Sequence, residues 1–64
     1  MERYMVRGSR RSLTIEYDSG RTYRYTTTGR NGASDGGGSG LDIEAMGLVL
    51  ETFRADFPSA RRVA

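Results

Sequence analysis

Two short segments on either side of a tight turn constrain this chain more than anything else in it. Residues 12–17 read Ser-Leu-Thr-Ile-Glu-Tyr and alternate strictly, with Leu13, Ile15 and Tyr17 on one face. Residues 22–26 read Thr-Tyr-Arg-Tyr-Thr and alternate again, with Tyr23 and Tyr25 together. Strand side chains repeat every two residues, so these runs of β-branched and aromatic types predict two strands sharing one apolar face. Asp18-Ser19-Gly20 supplies the turn. Parity selects the register. A two-residue turn at Ser19-Gly20 sets Ile15 opposite Arg24 and mixes the faces. A three-residue loop with Gly20 left-handed pairs Ile15 with Tyr23 and Leu13 with Tyr25, and keeps the apolar residues together. The outer face then reads Thr14, Glu16, Thr22 and Arg24.

A weaker strand precedes this hairpin. Residues 3–7 place Tyr4 and Val6 inward and Arg3 and Arg7 outward, and residues 8–11 form the turn. Two strands alone are marginal, so the expectation is a three-stranded antiparallel meander over residues 1–27.

Residues 28–40 hold six of the nine glycines. Such a composition predicts a flexible loop with a reach of about 20 Å. Gly36 to Gly40 also has the look of a synthetic linker, and an engineered fusion of a hairpin to a helix is one alternative.

A helix is expected over residues 41–58. Ser39-Gly40-Leu41-Asp42 fits a capping box, and Asp42 and Glu44 suit the positive first turn. Ile43, Met46, Val49, Leu50, Phe53 and Phe57 recur at spacings of three and four and form one apolar stripe. Pro58 closes the helix, and residues 59–64 form a short basic tail. Gly47 interrupts the helix at about 1 kcal/mol relative to Ala. Leu41, Ala45 and Leu48 fall on the far side. Two apolar faces on one helix predict the sheet on one and a second subunit on the other, so this trio is the expected protein interface of a homo-oligomer.

Composition narrows the chemistry. The 64 residues include no Cys and no His, and all ten basic residues are Arg. There is no disulfide framework, no Cys- or His-based metal site, no nucleophile–base pair and no Schiff-base lysine. The glycine-rich segment lacks the Gly-Lys-Ser/Thr ending of a phosphate loop, and Asp42 and Glu44 repel an anion from the helix start. Asp42 and Glu44 do not share a helix face, and a domain this small has little room for a pocket that raises a carboxyl pKa. No enzyme activity, metal or cofactor is expected. No apolar run reaches the roughly 18 residues that span a bilayer, and no export signal is read, so the default location is the cytoplasm.

Charge is uneven within a formal total of +2. Residues 1–30 carry seven Arg against Glu2, Glu16 and Asp18, while residues 31–64 carry three Arg against five acids. Arg3, Arg7 and Arg24 share the outer strand face, with Arg10, Arg11 and Arg21 in the turns. Sheets that bind single strands combine such a basic face with exposed aromatic rings. Here the tyrosines are placed inward, which leaves only phosphate contacts. A nucleic-acid module using Arg3, Arg7, Arg10, Arg11 and Arg24 is therefore the alternative to a protein-interaction module.

Residues 13–25, Leu-Thr-Ile-Glu-Tyr-Asp-Ser-Gly-Arg-Thr-Tyr-Arg-Tyr, resemble the central hairpin of small KTSC domains. The likeness lies in a Leu-x-Ile strand, a Ser-Gly turn and a Thr-Tyr-Arg-Tyr return strand, and it ends at Tyr25. It implies no catalytic residue. Some members of that family are appended to nucleic-acid-handling enzymes, so the resemblance lends weight to the nucleic-acid alternative.

The reading as a whole is a single α+β domain of order β-β-β-α: a three-stranded antiparallel meander with one C-terminal amphipathic helix packed on it. Its expected core is Val6, Leu13, Ile15, Tyr17, Tyr23, Tyr25, Ile43, Met46, Val49, Leu50, Phe53 and Phe57. Its expected function is a small regulatory or adaptor module that self-associates.

Overall fold

The computed structural model describes all 64 residues. It holds β1 (Glu2–Met5), β2 (Ser12–Tyr17), β3 (Tyr23–Thr28), β4 (Ser34–Leu41), α1 (Ile43–Asp56) and β5 (Arg61–Arg62). The fold is α+β with one antiparallel sheet in the order β4-β3-β2-β1-β5. The sheet has five strands where three are expected from the sequence. Residues 28–40 are not a loop throughout, because Ser34 to Gly40 lie in β4. Residues 59–64 are not a free tail, because Arg61–Arg62 pair with Tyr4 and Met5. At 14 residues, α1 is shorter at both ends than the expected span, and it is not long and apolar enough to cross a membrane.

The central hairpin keeps the expected faces in a different register. Tyr17 pairs with Tyr23, Ile15 with Tyr25 and Leu13 with Thr27. The cause is the turn. Gly20 and Arg21 both take positive φ, at 62° and 67°, and the Thr22 amide donates to the Ser19 carbonyl at 3.2 Å. Asp18 N–H then donates to the Thr22 carbonyl at 2.9 Å, so the loop takes in residues 18–22. The slip relative to expectation is two residues, which preserves every side chain's face.

A β4 strand forms because β3 offers it a complete edge, not because its own side chains alternate. Gly36, Gly37 and Gly38 lie opposite Thr27, Thr26 and Tyr25. The register shifts on either side of this run mark two bulges in β4. Gly40, at φ 70°, sits in one of them, in the backbone region that such a bulge reserves for glycine.

Helix α1 starts at Asp42, whose side chain accepts a hydrogen bond from the Ala45 amide at 2.8 Å. The cap is therefore Asp42 and not Ser39, which belongs to β4. Met46 and Phe53 are buried against Tyr4, Leu13 and Ile15, and Val6, Tyr23, Tyr25, Val49, Leu50, Phe57 and Ala60 pack around them. Each large side chain so enclosed contributes about 1.5–3 kcal/mol. Two expected core residues lie outside. Ile43 is 74% exposed because it is the first residue of the helix, and Tyr17 is 63% exposed at the end of β2. Gly47 is exposed and its missing side chain faces open space. Ser12 is buried on the other sheet face, where its hydroxyl meets Thr28 Oγ1 at 2.8 Å.

Candidate functional site

Side chains from α1 cover the inner face of β1 and β2 and pack against Tyr23, but they cover Tyr25 only in part and leave Thr27 and the neighbouring stretch of β4 open beside the helix. The result is a groove of about 510 Å³. Leu13, Tyr25 and Thr27 line its sheet side, and Leu48, Val49, Thr52 and Phe53 its helix side. The groove stays open because the strand beside its floor carries almost no side chains. A Cβ at Gly36 would stand 3.0 Å from Thr27 Oγ1, and one at Gly38 would stand 2.9 Å from the Tyr25 ring. Both glycines thus share the inner face with those neighbours.

One end of the groove is polar. The Arg11 guanidinium lies 4.8 Å from the centre of the Phe57 ring and 3.7 Å from Asp35 Oδ2. Asp35 Oδ1 accepts a hydrogen bond from Thr27 Oγ1 at 2.8 Å. The bulge between Ser34 and Gly36 turns Asp35 toward Thr27. Arg11 thereby ties the last turn of the helix region to β4. Both partners are partly exposed, so the ion pair itself contributes little, and most of the value of Arg11 is its stem and guanidinium packed on Phe57.

Tyr4 anchors the opposite flank of the helix. Its hydroxyl donates to Glu2 Oε1 at 2.8 Å, and Arg54 lies 5.7 Å from its ring centre. Burial pushes the Tyr4 phenol above its ordinary value, and the hydrogen bond to Glu2 and the charge of Glu2 add to that rise. The shift reports a structural contact under the helix rather than a group aimed into the groove.

The expected interface trio is divided by the fold. Leu41 closes β4 opposite Tyr23 and is half-buried. It is not part of the helix. Ala45 and Leu48 stand one turn apart on the helix, and of the two Leu48 lines the groove. Leu48 is 62% exposed, and Ala45 is half-buried.

The five arginines of the nucleic-acid alternative do not gather. Arg3 and Arg24 project from the open sheet face on β1 and β3, two strands apart. Arg24 is 3.4 Å from Glu16. Arg7 lies in the turn after β1, and Arg10 packs its stem beside Gly32 in the β3–β4 turn. Arg11 is on the inner face, engaged by Asp35 and Phe57. Tyr4, Tyr23 and Tyr25 pack on the core side, so the open face carries none of these rings.

Sequence reasoning missed Tyr25, Thr27, Asp35 and the whole of β4 as parts of a site. A signal was present. Asn31-Gly32 is a strong hairpin-turn dipeptide, and Gly32 takes φ 88° in the turn that the Gly29 amide closes on the Ala33 carbonyl at 2.8 Å.

No protein-family model, curated protein or solved structure matches the chain.

Proposed function

We propose that this chain is a small, non-enzymatic protein-interaction module that self-associates, with an adaptor or regulatory role. The groove between α1 and the β3–β4 edge is its working surface. The observation that carries the reading is the coincidence of two incomplete surfaces: an apolar groove with Leu48 exposed on its rim, beside a sheet-terminal strand. An uncovered strand edge offers hydrogen bonds to a partner backbone, and an adjacent groove takes the partner's side chains. The rival nucleic-acid reading has less support, because its arginines lie on different faces and the groove is mostly apolar.

Light scattering tests the choice. Solution mass is measured over about a hundredfold range of concentration, at low and high salt, with and without a mixed oligonucleotide pool. A mass that rises with concentration and ignores the oligonucleotides is the expected result. A salt-sensitive rise that appears only with oligonucleotides transfers the function to Arg3, Arg24 and the open face.

A further inference from the structure

We infer that the partner at β4 is a second copy of this chain, joined edge to edge by antiparallel pairing centred on Gly36–Gly38 to make one continuous ten-stranded sheet. The inference rests on the protein-interaction reading and specifies its geometry.

The two edges of the sheet differ. The β5 edge is two residues long and consists of Arg61 and Arg62, the short charged form that discourages strand addition. The β4 edge is eight residues long, and Asp35 is its only charge. That charge is turned to Thr27 and Arg11 on the chain's own inner face. Between the two bulges, Gly36–Gly38 keeps a regular register with β3. In an antiparallel pair, successive residues direct their amide and carbonyl groups to alternate sides. Alternate residues of this run therefore direct their groups away from β3, with no strand beyond them.

A second copy fits this edge under a two-fold axis. The pairing is isologous, so the same residues serve on both sides. Side chains bring no steric conflict at the centre, and the two Asp35 carboxylates fall at opposite ends of the seam. Antiparallel pairing keeps both helices on the same sheet face. The two grooves then adjoin across a floor of β3 and β4 from each copy, and each Leu48 faces the cleft between the helices. The chain also exposes more surface than a compact monomer of its mass. The chain shows 4494 Å² of surface. A compact monomer of its mass shows about 4,100 Å². The excess of roughly 400 Å² per copy is about half of what a standard interface takes from each partner.

N-methylglycine placed singly at positions 36, 37 and 38 by chemical synthesis tests the seam. It blocks one amide and adds no side chain. Because amide directions alternate, one parity class blocks a bond to β3 and lowers stability without touching the seam. The other leaves a folded chain, shown by an unchanged circular dichroism spectrum, and weakens dimerisation by about tenfold or more. Leu48→Glu is measured beside them. If no position of the three weakens dimerisation in a folded chain, the edge seam is overturned, and the protein-interaction reading then passes to whatever surface Leu48→Glu disrupts. A parent mass that stays monomeric at every concentration overturns the seam and self-association together.

Discussion

The Tyr25 ring fills the space that a side chain at Gly38 would occupy on the neighbouring strand. A Cβ at position 38 would stand 2.9 Å from Tyr25 Cε1 and 3.5 Å from both Cζ and the hydroxyl oxygen. A glycine in a strand loses packing and gains backbone freedom, and an aromatic side chain across the ladder compensates by covering it. The pair therefore links the groove floor to the edge strand. Gly38→Ala displaces the ring and lowers stability by about 1–2 kcal/mol in urea unfolding. In a Tyr25→Ala background the same change falls below about 0.5 kcal/mol. Gly37→Ala has no such rescue, because its Cβ would stand 2.7 Å from the Tyr25 carbonyl oxygen.

The helix cap separates two readings of the start of α1. Asp42 accepts the Ala45 amide, while Ser39 lies in β4. Asp42→Ala is expected to lower stability by about 1 kcal/mol. Ser39→Ala changes it by less than about 0.5 kcal/mol. Thermal or urea melts of the two variants distinguish the caps, and the reverse ranking would restore the capping box at Ser39.

These two sites show what the sequence could convey. Leu13, Ile15, Tyr23 and Tyr25 announce their shared face, because alternation is written in side chains and survives a register slip of two. Met46 and Phe53 announce theirs through helical spacing. Gly36–Gly38 cannot, since a strand without side chains has no alternation to read. Its order comes from β3 and from the ring of Tyr25. Arg61–Arg62 is equally silent, because two residues carry no period. Ile43 and Tyr17 lie outside the core for a simpler reason: each fits the apolar pattern but sits where its element begins or ends. The groove was hidden along with β4, although Asn31-Gly32 marked the turn that leads into it.

Arg21 is the one non-glycine residue with positive φ. A bulky side chain there is strained, and Asn tolerates the conformation better. Arg21→Asn should raise stability by about 0.5–1 kcal/mol without altering the hairpin register. Gly20→Ala should lower it by a similar amount, since its φ is also positive and the surrounding space is open. Denaturant midpoints read both effects.

High pH should destabilise the fold through Tyr4. Its phenol is held above the ordinary value of about 10, first by burial and then by Glu2. The unfolded chain releases this proton first, so above that pH it binds fewer protons than the folded chain. The contribution is complete below about pH 10 and is lost as pH rises through the folded value. Tyr4→Phe removes this part of the slope while weakening the contact with Glu2. Urea unfolding at about pH 8 and about pH 11 should show a smaller fall for the variant. An equal fall would assign the alkaline loss to other groups.

Amide hydrogen exchange at Gly36, Gly37 and Gly38, followed by NMR in dilute and concentrated samples, tests whether these glycines form a strand with an edge that a second copy covers. Protection should alternate along the run. Amides directed at β3 are protected at both concentrations. Those directed outward exchange quickly in the dilute sample and slow markedly in the concentrated one. Unstructured exchange rates at all three glycines in both samples would return residues 36–38 to a flexible linker.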